Sequence, residues 1–378
     1  MPHNLDESPS NNLETEIKER LSIPEKDFPP SETYLGSRKG FNHAQDEDMA
    51  LSMRVPGYEM IGAFDGVGGY AGGAEASELA SDFIMNRYKE IGSSRIAGMS
   101  LAGTAETMRE ALISADRFVR RKALEKGNRM ETTAALAQVW HDSETGEMKL
   151  IVSHVGDSRV LIIRKDDIRC LTLDDSSMWK EKSNEEAKKL QNKFSGVENS
   201  EELTTMEREM WNKRNIISKA LGRGDITPTT EIFDICAGDI ILTCTDGLTD
   251  NLTQTEIVRL TNSSRSTEQI SGRLITAAED RSKDKNHFRG KPDDITVCVI
   301  KTPELTQEQV SQTKDIPELL TKLRKYDGVW GSDGKKYYSF PKIYDDVQKA
   351  IKGEIPAHGI TRSAGLRSKV TQLLNQEE

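Results

Sequence analysis

The sequence is poor in several features that define whole classes of protein. It has only four cysteines, Cys170, Cys236, Cys244 and Cys298, scattered through apolar segments without Cys-x-x-Cys spacing. This argues against a disulfide framework or a thiolate zinc site and reads as buried free thiols in a reducing compartment. No stretch approaches the roughly 18 uncharged apolar residues of a membrane span. The start, MPHNLDESPSNNLETEIKER, lacks the basic residues and apolar stretch of a signal peptide. The expectation is a cytoplasmic protein that does not span a membrane. Basic charge is also short: 52 Lys and Arg face 62 Asp and Glu, for a net charge of -10. Nucleic acid and anionic membranes normally require the opposite balance, so small or protein substrates fit better.

What is present suits one sizeable core within 378 residues. Mean hydropathy is -0.62, yet the 35% hydrophobic residues gather in clear runs, which excludes wholesale disorder. Residues 1–30 are rich in Asn, Ser, Glu and Pro and read as a flexible tail. From Tyr34 to about Thr302, seven β-rich runs stand out: MALSM, EMIGAF, TTAALAQVW, KLIVSHV, RVLIIR, DIILTCT and ITVCVI. Helical spacing covers Ala74 to Ile91 and Thr104 to Glu125. Residues 176–215 are highly charged, with Trp179 and Trp211 near the ends, and read as a helical insertion or flap. Beyond residue 302 the texture becomes lysine-rich, with eleven Lys and Arg against eight Asp and Glu from Glu318 onward. Residues 303–378 are therefore expected to form a small, mostly helical accessory module, a candidate adaptor contact.

The acids fall at particular places along these runs. Asp65, Asp157 and Asp246 follow EMIGAF, KLIVSHV and DIILTCT, each beside a glycine, whereas Asp46-Glu47-Asp48 and Asp293-Asp294 precede MALSM and ITVCVI. In antiparallel pairs the start of one strand lies beside the end of its neighbour. A hairpin through Arg54 to Tyr58 would return Glu47 and Asp48 to Asp65, and a second pairing would set Asp293 beside Asp246. Such a cluster repels itself unless cations neutralise it. With only carboxylates and no paired histidines or thiolates, it suits Mn²⁺ or Mg²⁺.

Eight motifs occur in order: DED at 46–48, FDGVGG at 64–69, ETTAALAQVW at 131–140, HVGDSRV at 154–160, LTLDDS at 171–176, KALGRG at 219–224, TDGLTDNL at 245–252 and PDDITVCV at 292–299. Over about 270 residues this series resembles the metal-dependent PPM family of serine/threonine phosphatases, the type 2C class. The resemblance implies an α+β fold, a two-layer antiparallel β-sandwich flanked by helices, spanning residues 31–302. It further implies two Mn²⁺ or Mg²⁺ ions at one end of the sandwich. Asp65 would bridge them, Asp246 and Asp293 would be direct ligands, the Gly66 carbonyl would join, and Glu47 would act through water. Asp157 and Asp250 match positions that hold a third, weaker ion in some members. The implied reaction is hydrolysis of phosphoserine or phosphothreonine by a water bridging the metals, with no side-chain nucleophile. His154 is expected to be a strand residue and not a base.

The sequence also departs from the family pattern. His43 stands four residues before Glu47, where the family has a phosphate-binding arginine. An ordinary imidazole, with a pKa of about 6.5, is mostly neutral at pH 7 and a weaker anchor. Arg38, Lys39 and Arg54 are the candidate replacements. Val67 occupies the position of a histidine general acid in some members, Glu131 replaces a glycine, and Asp294 replaces an asparagine. His43 motivates an alternative, a catalytically weak pseudophosphatase or phosphoprotein-binding module.

Overall fold

The computed structural model describes residues 31–303 apart from 56–57, 68–71, 93–94, 97 and 142–147. The expected N-terminal tail, and the C-terminal module from residue 304 on, lie outside the described residues. Among the described residues, ten strands form two five-stranded sheets in which every adjacent pair is antiparallel. One sheet runs β1 (Glu32–Arg38), β10 (Ile295–Lys301), β9 (Ile240–Cys244), β6 (Arg159–Arg164) and β7 (Asp167–Cys170). The other runs β2 (Asp48–Val55), β3 (Tyr58–Asp65), β4 (Ala134–His141), β5 (Met148–Val155) and β8 (Thr229–Asp234).

The sheets pack face to face, and helices cover both outer faces, so the central strands are buried on two sides. Ile61, Ala135, Leu150, Val160, Ile162, Ile241 and Cys298 fill the space between the sheets. The alternate residues Met60, Phe64 and Ile151 meet helices α1 (Gly72–Ile91) and α2 (Leu101–Lys126). Double burial is why these strands read as nearly continuous apolar runs instead of alternating ones. Helix α1 presents Gly72, Gly73, Ala76, Ser77, Ala80 and Ser81 inward, a small-residue face that lets its first turns approach the sheet closely. Ser100 caps the start of α2, and Gly127 ends it in the left-handed conformation at φ 66°.

Residues 177–211 contain α3 (Asn184–Gly196), α4 (Thr205–Trp211) and two short 3₁₀ turns, packed on a separate core of Trp179, Phe194, Val197, Leu203 and Trp211. Ser177 N donates to Ile216 O at 2.9 Å, and Ser218 N to Asp175 O at 2.6 Å, so this excursion leaves and re-enters the body at one point. After β9 come α5 (Asp246–Thr249), α6 (Gln254–Asn262) and α7 (Thr267–Lys283). The last two, with Leu161, Leu242, Leu274 and Val297, form the second outer layer. All four cysteines are free thiols. Among the described residues no helix is long and apolar enough to cross a membrane.

Candidate metal centre

The centre is built from strand ends. β2 and β3 pair with Asp48 opposite Asp65 as their final register partners, and the ladder continues one step further as Gly66 N donates to Glu47 O at 3.1 Å. Gly66 must be glycine: a Cβ there would collide with the Gly73 carbonyl and meet Glu47 O at 2.7 Å. The same crowding sets the Gly66 carbonyl and a Glu47 carboxylate oxygen against the first turn of α1, 3.0 and 2.9 Å from where a Gly73 Cβ would be. The backbone of Asp65 is held on both sides. Its N–H donates to Thr133 Oγ1 at 2.9 Å, and its carbonyl accepts from Thr133 N at 2.8 Å and Thr132 Oγ1 at 2.9 Å.

The other sheet contributes from β9 and β10. Their register, Cys244 opposite Val297, brings Asp246 and Asp293 out at the same edge. Thr245 joins the two sheets there: its hydroxyl donates to Asp48 Oδ2 at 2.8 Å and accepts from Thr296 N at 3.0 Å. Asp157 enters from the turn between β5 and β6, where Gly156 takes φ 98° against Thr133. Asp48, Asp157, Asp246 and Asp250 are all buried.

The electrostatics follow from this crowding. Burial first, then the charges of Asp48, Asp246, Asp293 and Asp157, push the Asp65 carboxyl well above the usual range. Asp48 and Asp157 are likewise raised, chiefly by burial. Burial lifts Asp246 to about 7 even though Lys291 pulls it down, because Asp293 and Asp250 add to the rise. Asp250 behaves oppositely. Burial would raise it, but Lys291, Arg214, Arg159 and Arg289 bring it to about 2.

Lys291 is the residue sequence reasoning overlooked. Its ammonium contacts Asp246 Oδ2, lies 2.9 Å from Asp293 Oδ2 and 3.1 Å from Asp250 Oδ2, and the side chain is 15% exposed. The available signal was a lysine two residues before Asp293 in the run Lys291-Pro292-Asp293-Asp294. A cation so close to a carboxylate cluster in sequence can fold into it.

Other expected residues lie elsewhere or are already engaged. Arg38 is not brought into the centre: it ends β1 and pairs with Glu279 of α7 at 2.9 Å. Lys39 donates to the His43 carbonyl at 2.6 Å, and Arg54 is exposed six residues along β2 from Asp48. His43 Nδ1 lies 2.9 Å from Asp294 Oδ2. Burial lowers its pKa, but Asp294, Asp293 and Glu47 outweigh this and leave it above the ordinary value. Two departures from the family pattern thus pair with each other. Asp294 also accepts from Gly40 N at 2.6 Å and Glu47 N at 2.7 Å, fastening the loop before β2. Glu131 is taken by Arg129 and Arg223, each at 2.7 Å. Asp250 already faces Arg214 at 3.0 Å as well as Lys291, so a third ion would find this carboxylate occupied by cations.

The chemistry of the donors fits a hard divalent cation: all are oxygens, negative charge is in excess, and Asp246 Oδ1 is buried without a hydrogen-bond partner. The spacing fits less closely. Among the described residues no three acidic, histidine or cysteine side chains converge tightly enough to coordinate one ion, and on the Asp246–Asp293 side the Lys291 ammonium fills the space between them.

No protein-family model matches the chain. In sequence it is 26% identical over 245 residues to serine/threonine phosphatase Stp of Listeria monocytogenes, covering 65% of this chain and 84% of that one. Among solved structures, the S. agalactiae serine/threonine phosphatase superposes with TM-score 0.57 at 22% identity, over 72% of this chain and 100% of that chain. The catalytic domain of the serine/threonine protein phosphatase PstP, solved with two manganese ions, superposes with TM-score 0.51 at 19% identity, over 72% and 99%. The chain is thus similar in sequence to a serine/threonine phosphatase and shares the two-sheet fold of solved serine/threonine phosphatases.

Proposed function

We propose that the chain is a metal-dependent protein phosphatase that hydrolyses phosphoserine and phosphothreonine monoesters. The observation that carries this reading is the convergence of carboxylates from both sheets at one end of the sandwich, with a buried Asp246 oxygen lacking a hydrogen-bond partner. Its relatives are named serine/threonine phosphatases, and a protein of the same fold holds two manganese ions.

Asp65, Asp246, Asp293 and the Gly66 carbonyl would hold Mn²⁺ or Mg²⁺, with Glu47 and Asp48 on the flank. Bound there, divalent ions supply an acidified water and neutralise charge on an in-line phosphoryl transition state. The protein's own part is positioning. Thr132 and Thr133 fix the Asp65 backbone, and Thr245 ties Asp48 to the other sheet. His43, 30% exposed beside Asp294, is the candidate contact for an approaching phosphate, and its protonated form would supply positive charge. No side chain is needed as nucleophile or base. His154 is buried on β5, and burial lowers its pKa, which suits a structural role.

The test is hydrolysis of a phosphoserine or phosphothreonine peptide by the full chain after exhaustive chelation and again after Mn²⁺ is restored. Activity is expected to vanish and then return. Undiminished turnover in a preparation proven metal-free by elemental analysis would end the proposal.

A further inference from the structure

Lys291 is too well built to be an incidental surface lysine. Its backbone is clamped from both sides by the buried Asn251, whose Oδ1 accepts from Lys291 N at 3.0 Å and whose Nδ2 donates to Lys291 O at 2.9 Å. Asn251 is in turn fixed by donating to Gly247 O at 2.8 Å, within the helix that begins at Asp246. The stem of Lys291 therefore starts from a defined point, and its ammonium ends on three carboxylate oxygens from Asp246, Asp250 and Asp293. Two of these acids are the expected ligands on one side of the metal centre. A divalent ion bound to the same oxygens would stand within van der Waals range of a like charge in a buried setting, so the two cations exclude each other. The second oxygen of Asp246, Oδ1, is buried without a hydrogen-bond partner.

We propose that Lys291 is a tethered cation that competes with one of the two divalent ions: the second ion, on Asp246 and Asp293, binds only when the Lys291 ammonium leaves these carboxylates. The inference rests on the metal-dependent reading above and adds that this chain sets its own threshold for the second ion. Without the ion, Lys291 keeps the Asp246–Asp293 side neutralised. With it, the ammonium gives up its contacts with Asp246 and Asp293.

The test is calorimetric titration of metal-free full-length protein with MnCl₂, comparing wild type with Lys291→Met, which keeps the stem and removes the charge. The variant is expected to bind a second ion at least roughly tenfold more tightly than wild type, a factor within the usual range of coupling between two sites. A second measurement needs no variant. Mass-spectrometric footprinting of wild type with an amine-acylating reagent should show Lys291 labelling rise as Mn²⁺ is added to saturation. Equal affinities and stoichiometries in the two proteins, or, should the variant not fold, Lys291 labelling unchanged by saturating Mn²⁺, would overturn the role of Lys291 and leave the metal-dependent reading standing. If neither protein binds Mn²⁺ at all, that reading falls and this inference with it.

Discussion

Asp65 sits where burial and then four other carboxylates raise its pKa, and Asp246 keeps one buried oxygen without a hydrogen-bond partner. Replacing either with Asn preserves shape and removes a charge that an ion would need. We expect Asp65→Asn and Asp246→Asn each to lower kcat for a phosphopeptide by about three orders of magnitude, while circular dichroism stays that of wild type. A rate within tenfold of wild type in both would mean that the ions are held elsewhere. His43 supports a second expectation at this scale. Its folded pKa is raised, so its pairing with Asp294 stabilises fully below the ordinary value of about 6.5 and is lost as pH climbs through the folded pKa. In urea titrations of metal-free protein, the stability difference between wild type and His43→Gln should be largest below about pH 6.5 and shrink as pH rises above it. A difference independent of pH would assign His43 a packing role only.

Arg289 shows how one element is fastened to another. It is almost fully buried, donates to the carbonyls of Phe194 and Val197 beside α3 and of Thr249 and Leu252 beside α5, and lies 5.0 Å over the Trp211 ring. Burial pulls its pKa down to about 10, still far above neutrality, so the charge persists. Together with Arg214 on Asp250 it binds the 177–211 excursion to the helix that carries Asp246. Arg289→Met leaves several buried carbonyls without a donor and should cost about 3 kcal/mol in equilibrium unfolding. A loss below about 1 kcal/mol would show that the two elements hold together by their aromatic packing alone.

At the scale of the whole molecule, two sheets and their covering helices form one body whose last described bonds involve its C-terminal edge. Thr302 N donates to Asp239 O at 2.9 Å, and Pro303 O accepts from Gly238 N at 3.2 Å. A chain reduced to residues 31–303 keeps these bonds and every residue placed in the metal centre. It should hydrolyse a small aryl phosphate with kcat/KM within a few-fold of the full chain. A folded but inactive truncation would make the remaining residues part of catalysis.

The amino-acid sequence by itself determined the central strands, because burial on both faces demands long apolar runs, and the edge at which acids gather, because antiparallel pairing returns strand starts to strand ends. β1, β7 and β8 escaped it. They are edge strands with largely exposed faces, for example Thr229–Asp234, and need no apolar run. The partners of the charges were decided only by the tertiary structure. Arg38 lies close to the acids in sequence yet meets Glu279, His43 meets Asp294 from some 250 residues away, and Lys291 turns inward onto Asp246, Asp250 and Asp293. An ion pair depends on where the backbone aims a long side chain, and that direction is set by contacts such as the Asn251 clamp, which no local pattern of residues encodes.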